Sequence, residues 1–192
     1  MSTDSELIRR SRAFPSEFGD LYERHARTVY RYARSRAGES VADDVMSETF
    51  LVAFQKRHTY DLAHESAVPW LLGIATNLIG RHRRAEAKHL KALATQTHET
   101  VADATADASA RLDAAASVGR IAAAVRGLAA IDRDTLLLYA WGDLSYDEIA
   151  TAMQVPIGTV RSRLNRARRV LRNATGIEDE DYGRADAATR PA

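Results

Sequence analysis

The 192-residue chain carries 27 basic against 26 acidic side chains, a formal net charge of +1, so a surface for a polyanion has to come from segregating charge along the chain rather than from an overall excess. Its 45% apolar content suffices for packed cores in one domain or two small ones. With no cysteine there are no disulfides, thiolate metal ligands or thiol nucleophiles, and the polar N-terminus MSTDSELIRRSRAFP and the short run VPWLLGIA, stopped at Thr76 and Asn77, are neither a signal peptide nor a membrane span. A soluble, cytoplasmic protein with no membrane insertion is expected.

Residues 1–15 read as a polar N-terminal tail. From Pro15 and Ser16 to Ala37, Phe18, Leu21, Tyr22, His25, Val29 and Tyr32 or Ala33 recur at helical spacing, and Gly38 closes the helix. Ser40 is expected to cap a second helix, in which Val45, Met46, Phe50, Val52, Ala53 and Phe54 form a broad apolar side while Asp43, Asp44 and Glu48 stay polar. Read by themselves, these acids suit a helix N-terminus. His58 to Val68 carries turn formers without a helical period and reads as a loop, after which Pro69 and Trp70 begin a third helix. Leu71, Ile74, Ala75 and Leu78 make its packing side, whereas Trp70, Gly73, Asn77, Arg81, Arg84 and Lys88 form a second stripe. An aromatic followed by Asn, Arg, Arg and Lys is either a nucleic-acid track of stacking and phosphate contacts or, at Trp70, a buried ring.

Residues 89–117 shift to Ala, Thr and Asp, with Glu99, Asp103, Asp107 and Asp113, and read as an acidic, flexible linker. Short helices are predicted from Gly119 to Ile131 and from Asp132 to Trp141, and Gly142 breaks the chain before LSYDEIATAMQVPIGTVRSRLNRARRVLR. There Ser145 and Glu148 form a capping box, Pro156 suits the first position of a second helix, and Val160, Leu164, Ala167 and Leu171 make one buried stripe. Ser162, Asn165, Arg166 and Arg169 point away from it, with Arg161 and Arg172 beside them and no acid in this second helix. The pattern is a helix-turn-helix whose second helix carries an arginine face fit for the major groove; the bland alternative is a solvated basic helix. Residues 175–192 read as an acidic disordered tail. The predicted fold is all-α: two small helical domains, 16–88 and 118–174, joined by the linker, with the helix-turn-helix in the second.

Taken together, FGDLYERHARTVYRYA, ADDVMSETFLVAFQK, PWLLGIATNLIGRHRR, RDTLLLYAWGDLSYDEIA and VPIGTVRSRLNRARRVL resemble, in order and spacing, the bacterial sigma-70 family, and specifically its extracytoplasmic-function group, which keeps only regions 2 and 4. The resemblance implies a factor that binds RNA polymerase core at its clamp coiled coil and flap, and directs promoter-specific initiation at −35 and −10 elements. By it, Asp43, Asp44 and Glu48 match the acidic helix that docks on the clamp. Asn77, with the loop from Thr59 to Val68, looks like the pocket for a base flipped from the −10 element, with Arg81, Arg83 and Arg84 on nearby backbone and Trp70 beside them. Arg161, Ser162, Asn165 and Arg166 match the helix that reads the −35 element, and Thr159 and Arg169 complete that set. The acidic linker is similar to the segment that threads the polymerase's RNA exit path. The chain departs from the family pattern at Gly127, Leu128 and Ala129, where Leu-Pro is usual, and in the −10 loop, which lacks the common Phe-rich sequence. Any anti-sigma regulation falls to a separate chain.

Two other readings compete. A stand-alone repressor or activator would also carry a helix-turn-helix and predicts a symmetric dimer, but has no need of a second basic helix and an acidic one. An enzyme built on the six histidines would want metal-ligand spacing, a nucleophile elbow or a phosphate loop, and the sequence has none of these. No catalytic residue, metal or cofactor is therefore expected.

Overall fold

The computed structural model describes residues 2–94 and 119–175. The expected linker and acidic tail lie almost wholly outside the described residues. Among the described residues the architecture is all-α, as predicted, with no strand.

Helix α1 spans Asp4–Ser11, α2 Phe18–Ala37, α3 Glu39–Lys56 and α4 Val68–Ala94; α5 covers 119–127, and α6 (Ala130–Gly142), α7 (Tyr146–Met153) and α8 (Ile157–Thr175) follow. The expected polar tail is instead a helix. Thr3 caps it by accepting a hydrogen bond from the Glu6 amide, and Leu7 and Ile8 are fully buried, each at a gain of about 1.5–3 kcal/mol. Two adjacent apolar residues among charged ones give no helical period, so the sequence hides this element.

Gly38 closes α2 and also precedes α3, at φ +86°, a conformation that glycine alone enters without strain. Ser40 therefore lies inside α3 and does not cap it, contrary to expectation; the cap position falls two residues earlier, at Gly38, and α3 has no side-chain cap. Helix α4 runs to Ala94, past the expected domain boundary at 88. The break between α5 and α6 falls at Leu128 and Ala129 rather than after Ile131. Ala129, at φ −52° and ψ 139°, leaves the helical conformation and its carbonyl accepts the amides of Asp132 and Arg133, so the turn forms without the proline usual there.

Helices α1–α4 form one unit and α5–α8 the other, and they pack on each other through α4 with α7 and α2 with α6. One hydrophobic core runs through both, from Ile8 and Phe18 to Leu164 and Ala167. A Cβ on Gly73 of α4 would stand 2.3 Å from the Ala152 carbonyl oxygen of α7, and one on Gly142 would stand 3.2 Å from Leu72 Cδ1. Small residues on both sides thus let the backbones meet. At the edge of this contact the Arg36 side chain, 1% exposed, pairs with Asp134 of α6 and donates to the Tyr32 hydroxyl. The Thr76 hydroxyl donates to the Leu72 carbonyl, so Tyr32 is the donor in its 2.7 Å bond to Thr76.

Candidate nucleic-acid interface

The capping box is formed in full: Ser145 Oγ accepts the Glu148 amide and the Glu148 carboxylate accepts the Ser145 amide at 2.8 Å. It fixes where α7 starts. Gln154 ends α7 in the left-handed conformation, φ +54°, and the Pro156 carbonyl accepts the amides of Thr159 and Val160, so Pro156 caps α8 from just outside its first turn. Val160, Leu164 and Ala167 are buried on α6 and α7, and Leu171 is partly so. This burial turns Arg161, Ser162, Asn165 and Arg169 outward, where all four are exposed, within about 100° of arc. Thr159 is half-buried at the N-terminal end, and its carbonyl accepts the Ser162 hydroxyl. Arg166 is also exposed, but it lies on the flank and its fork is occupied: Nε and one terminal nitrogen donate to the two oxygens of buried Asp132 at 2.9 and 2.7 Å. This pairing with Asp132 holds the Arg166 pKa above its ordinary value.

On the other unit, Asn77 is exposed on α4, as are Arg81 and Arg84. The stripe expected there is not continuous. Gly73 is buried under α7, and Trp70 is half-buried against Tyr60, ring centroids 4.9 Å apart. Arg83 points the other way and donates to the Arg36 carbonyl. Arg81 reaches Glu48 of α3 at 3.5 Å, as does His82. Asp43 and Asp44 are exposed on α3, and Glu48 is shared with these basic partners.

The loop between α3 and α4 is held from a side that sequence reasoning missed. Arg12, just after α1, donates to the carbonyls of Arg57 (3.2 Å) and Tyr60 (2.9 Å), and Arg57 returns a bond to the Ser11 carbonyl at 3.1 Å. Asp4 gives its amide to Glu65 and accepts the Ala67 amide on Oδ2 at 2.8 Å. The Tyr60 hydroxyl closes the loop on itself through His64 or Ser66. Three hydrogen bonds at one end and two at the other therefore fix a segment that contains no regular structure beyond one turn, Arg57–Thr59. Desolvation pushes the Asp4 carboxyl up, but hydrogen bonds from His25, the Ala67 amide and Arg24, with the His25 charge, outweigh it and hold the pKa at about 2.

The family model for sigma-70 region 2 matches residues 21–89, and that for sigma-70 region 4 matches residues 119–171. The ECF RNA polymerase sigma factor SigL of Mycobacterium tuberculosis is 33% identical over 153 residues, 79% of this chain and 85% of that protein. The chain belongs to the extracytoplasmic-function sigma factors. As such it directs promoter-specific transcription initiation. The ECF sigma factor BldN of Streptomyces coelicolor is 39% identical over 79 residues, 40% of this chain and 30% of that longer protein. The fold is shared with CnrH, solved with the cytosolic domain of CnrY (TM-score 0.61, 23% identity, 92% of this chain and 99% of that one), and with RpoE of Bartonella quintana, solved with the anti-sigma factor NepR (TM-score 0.58, 22% identity, 85% and 99%).

In this sigma factor the outward faces of α3, α4 and α8 stay exposed although regions 2 and 4 are packed together. Packing consumes the small-residue faces of α4 and α7 instead. Among the described residues no helix is long and apolar enough to cross a membrane, and no group of three or more His, Asp or Glu is placed to hold a metal.

Proposed function

We propose that this sigma factor recruits core polymerase through Asp43 and Asp44 of α3, reads the −35 element through Arg161, Ser162, Asn165 and Arg169 of α8, and takes up a flipped −10 base at Asn77. Thr159 and Arg166 border the −35 surface, and Arg81, Arg84 and Trp70 border the −10 surface. Arg83 serves the contact with Arg36 rather than DNA backbone, and Glu48 helps hold Arg81. The observation that carries the reading is the segregation of α8: its apolar stripe is buried, and the residues left outside offer guanidinium and carboxamide groups able to pair with guanine and adenine edges. Clamp coiled coil and flap are the polymerase surfaces that match regions 2 and 4, and a separate anti-sigma chain is the regulator that fits the class. The protein works in the cytoplasm and carries out no enzymatic step of its own.

Recruitment and melting should fail separately. Replacing Asp43 and Asp44 with Lys reverses charge on exposed positions without touching the Glu48 pairs, so co-elution with core should be lost while the chain stays folded. Asn77→Ala should leave co-elution intact and lower open-complex yield, measured by permanganate reactivity, with partial recovery on a template premelted across the −10 element. An equal loss of core affinity in both variants would assign Asn77 a structural role.

A further inference from the structure

A groove of about 820 Å³ opens between α5, α6 and the end of α8 on one side and Arg36 and Arg83 on the other. Its floor is apolar, made by Ile121, Val125, Leu136, Trp141 and Leu171; Trp141 is 50% exposed and Ile121 40%. Four guanidiniums rim it, those of Arg36, Arg83, Arg126 and Arg133, with Asp134 as the acid that Arg36 uses. The rim is under-neutralised. Nε of Arg36 and Nε of Arg133 are both buried without a hydrogen-bond partner, a rare condition in a finished interior. Burial, together with repulsion from Arg36 and Arg133, lowers the Arg83 pKa. An apolar floor under a rim of four guanidiniums and one carboxylate fits a short acidic peptide with apolar side chains at its ends.

The chain contains one such stretch, and it is tethered next to the groove. Leu171 is on the floor, α8 ends at Thr175, and the sequence continues Gly176, Ile177, Glu178, Asp179, Glu180, Asp181, Tyr182. Four successive carboxylates lie between an isoleucine and a tyrosine. The acids between α4 and α5, by contrast, are spaced four or more residues apart at Glu99, Asp103, Asp107 and Asp113. A segment starting within about two helical turns of its site binds at an effective concentration in the millimolar range, so modest contacts suffice.

We propose that residues 177–182 fold back into this groove, with the carboxylates on the guanidiniums of Arg83, Arg126 and Arg133 and the flanking Ile177 and Tyr182 on the apolar floor. Arg36 and Arg83 belong to the region 2 unit and Arg126 and Arg133 to the region 4 unit, so the segment straps the two together and covers the exposed floor.

Because the 192-residue chain has no cysteine, Gly183→Cys in that chain gives one site for a nitroxide label just beyond the segment. The two tryptophans report: Trp141 lies in the groove, and Trp70 packs on Tyr60 away from its lining residues. The expected result is loss of the Trp141 indole N–H signal with retention of that of Trp70. Neutralising Glu178, Asp179, Glu180 and Asp181 to their amides in the labelled chain should restore the Trp141 signal, as should Arg133→Glu. The amide variant leaves every described residue intact, so it decides the matter even where Arg133→Glu disturbs folding. Equal effects on both indoles, loss at Trp141 that survives neutralisation, or broadening seen only between labelled and unlabelled molecules would each overturn the strap.

Discussion

Gly73 and Ala152 hold the two units of this sigma factor together by backbone contact: the position of a Cβ on Gly73 is 2.3 Å from the Ala152 carbonyl oxygen and 3.0 Å from its carbon. Both atoms are main chain, so they cannot swing aside. Gly73→Ala should gain about 0.5–1 kcal/mol of helix propensity and lose about 1–3 kcal/mol to overlap, leaving a net destabilisation and a looser pair of units. Gly80 on the same helix is the control, since its Cβ would meet only the end of Arg84 at 3.5 Å. In thermal melts Gly80→Ala should be neutral or stabilising and Gly73→Ala should melt lower, with a larger radius of gyration in solution scattering. If the two variants behave alike, α4 and α7 do not pack this way in solution.

The second prediction concerns Arg36 and Asp134, the charge pair at that interface. Asp134→Asn leaves a guanidinium that is 99% buried without its counter-charge; loss of one partner of a buried pair costs about 3–5 kcal/mol, and the 21% exposure of Asp134 places this case at the low end. Adding Arg36→Met should recover most of the loss, because an apolar chain of similar length needs no partner. Denaturant titrations of the four members of this double-mutant cycle give the coupling directly. Additive losses would mean that the pair does not hold the interface.

Sequence reasoning found the elements whose signal is local and repeated. Ser145 with Glu148, Gly38, and the spacing of Val160, Leu164 and Ala167 each encode one feature within a turn or two, and each is present in the structure. What it missed is carried by pairs far apart in the chain. Helix α1 rests on Leu7 and Ile8, which are meaningful only against α2, and its hold on the 57–67 loop runs through Asp4 and Arg12, 45 to 63 residues from their partners. The stripe on α4 was legible as a stripe, but not that Gly73 is there to admit Ala152. Arg166 was expected among the outward-facing residues that read the −35 element, whereas its partner Asp132 lies 34 residues earlier.

That partner changes what Arg166 should do. Held by both oxygens of Asp132, it ties α8 to the first turn of α6 and thereby sets the angle at which α8 is presented. Arg166→Ala should lower the melting temperature and weaken binding by the same factor on every promoter sequence, and Asp132→Asn should do likewise without any DNA contact to lose. Asn165→Ala, on an exposed position with no such partner, should instead cost about 1–3 kcal/mol of discrimination at one or two −35 positions. Competition binding of holoenzyme to a panel of single-base −35 variants separates the two patterns. A sequence-dependent loss in Arg166→Ala, with none in Asp132→Asn, would return Arg166 to base reading.

Asp4 gives the fold a defined acid limit. Its carboxyl is held at about 2 against an ordinary 3.8, so the folded state prefers the ionised form, and the preference amounts to about 2 kcal/mol at most. The sign follows from linkage: a carboxylate whose pKa is lower folded than unfolded stabilises fully above the unfolded value, and the contribution fades as pH falls from about 4 towards 2. Asp4→Asn keeps an oxygen for the Ala67 amide but loses the charge that Arg24 and His25 face at 2.6 and 2.7 Å. The variant should therefore be less stable than the parent by about 1–2 kcal/mol at pH 5 and equal to it near pH 2, as read from urea unfolding at each pH. Its effect should reach the loop between α3 and α4 as well, because the same carboxylate anchors Ala67: amide exchange of residues 57–67 should rise at pH 5 while that of α8 stays unchanged. A stability gap that does not close on acidification would show that Asp4 acts through packing and not through its charge.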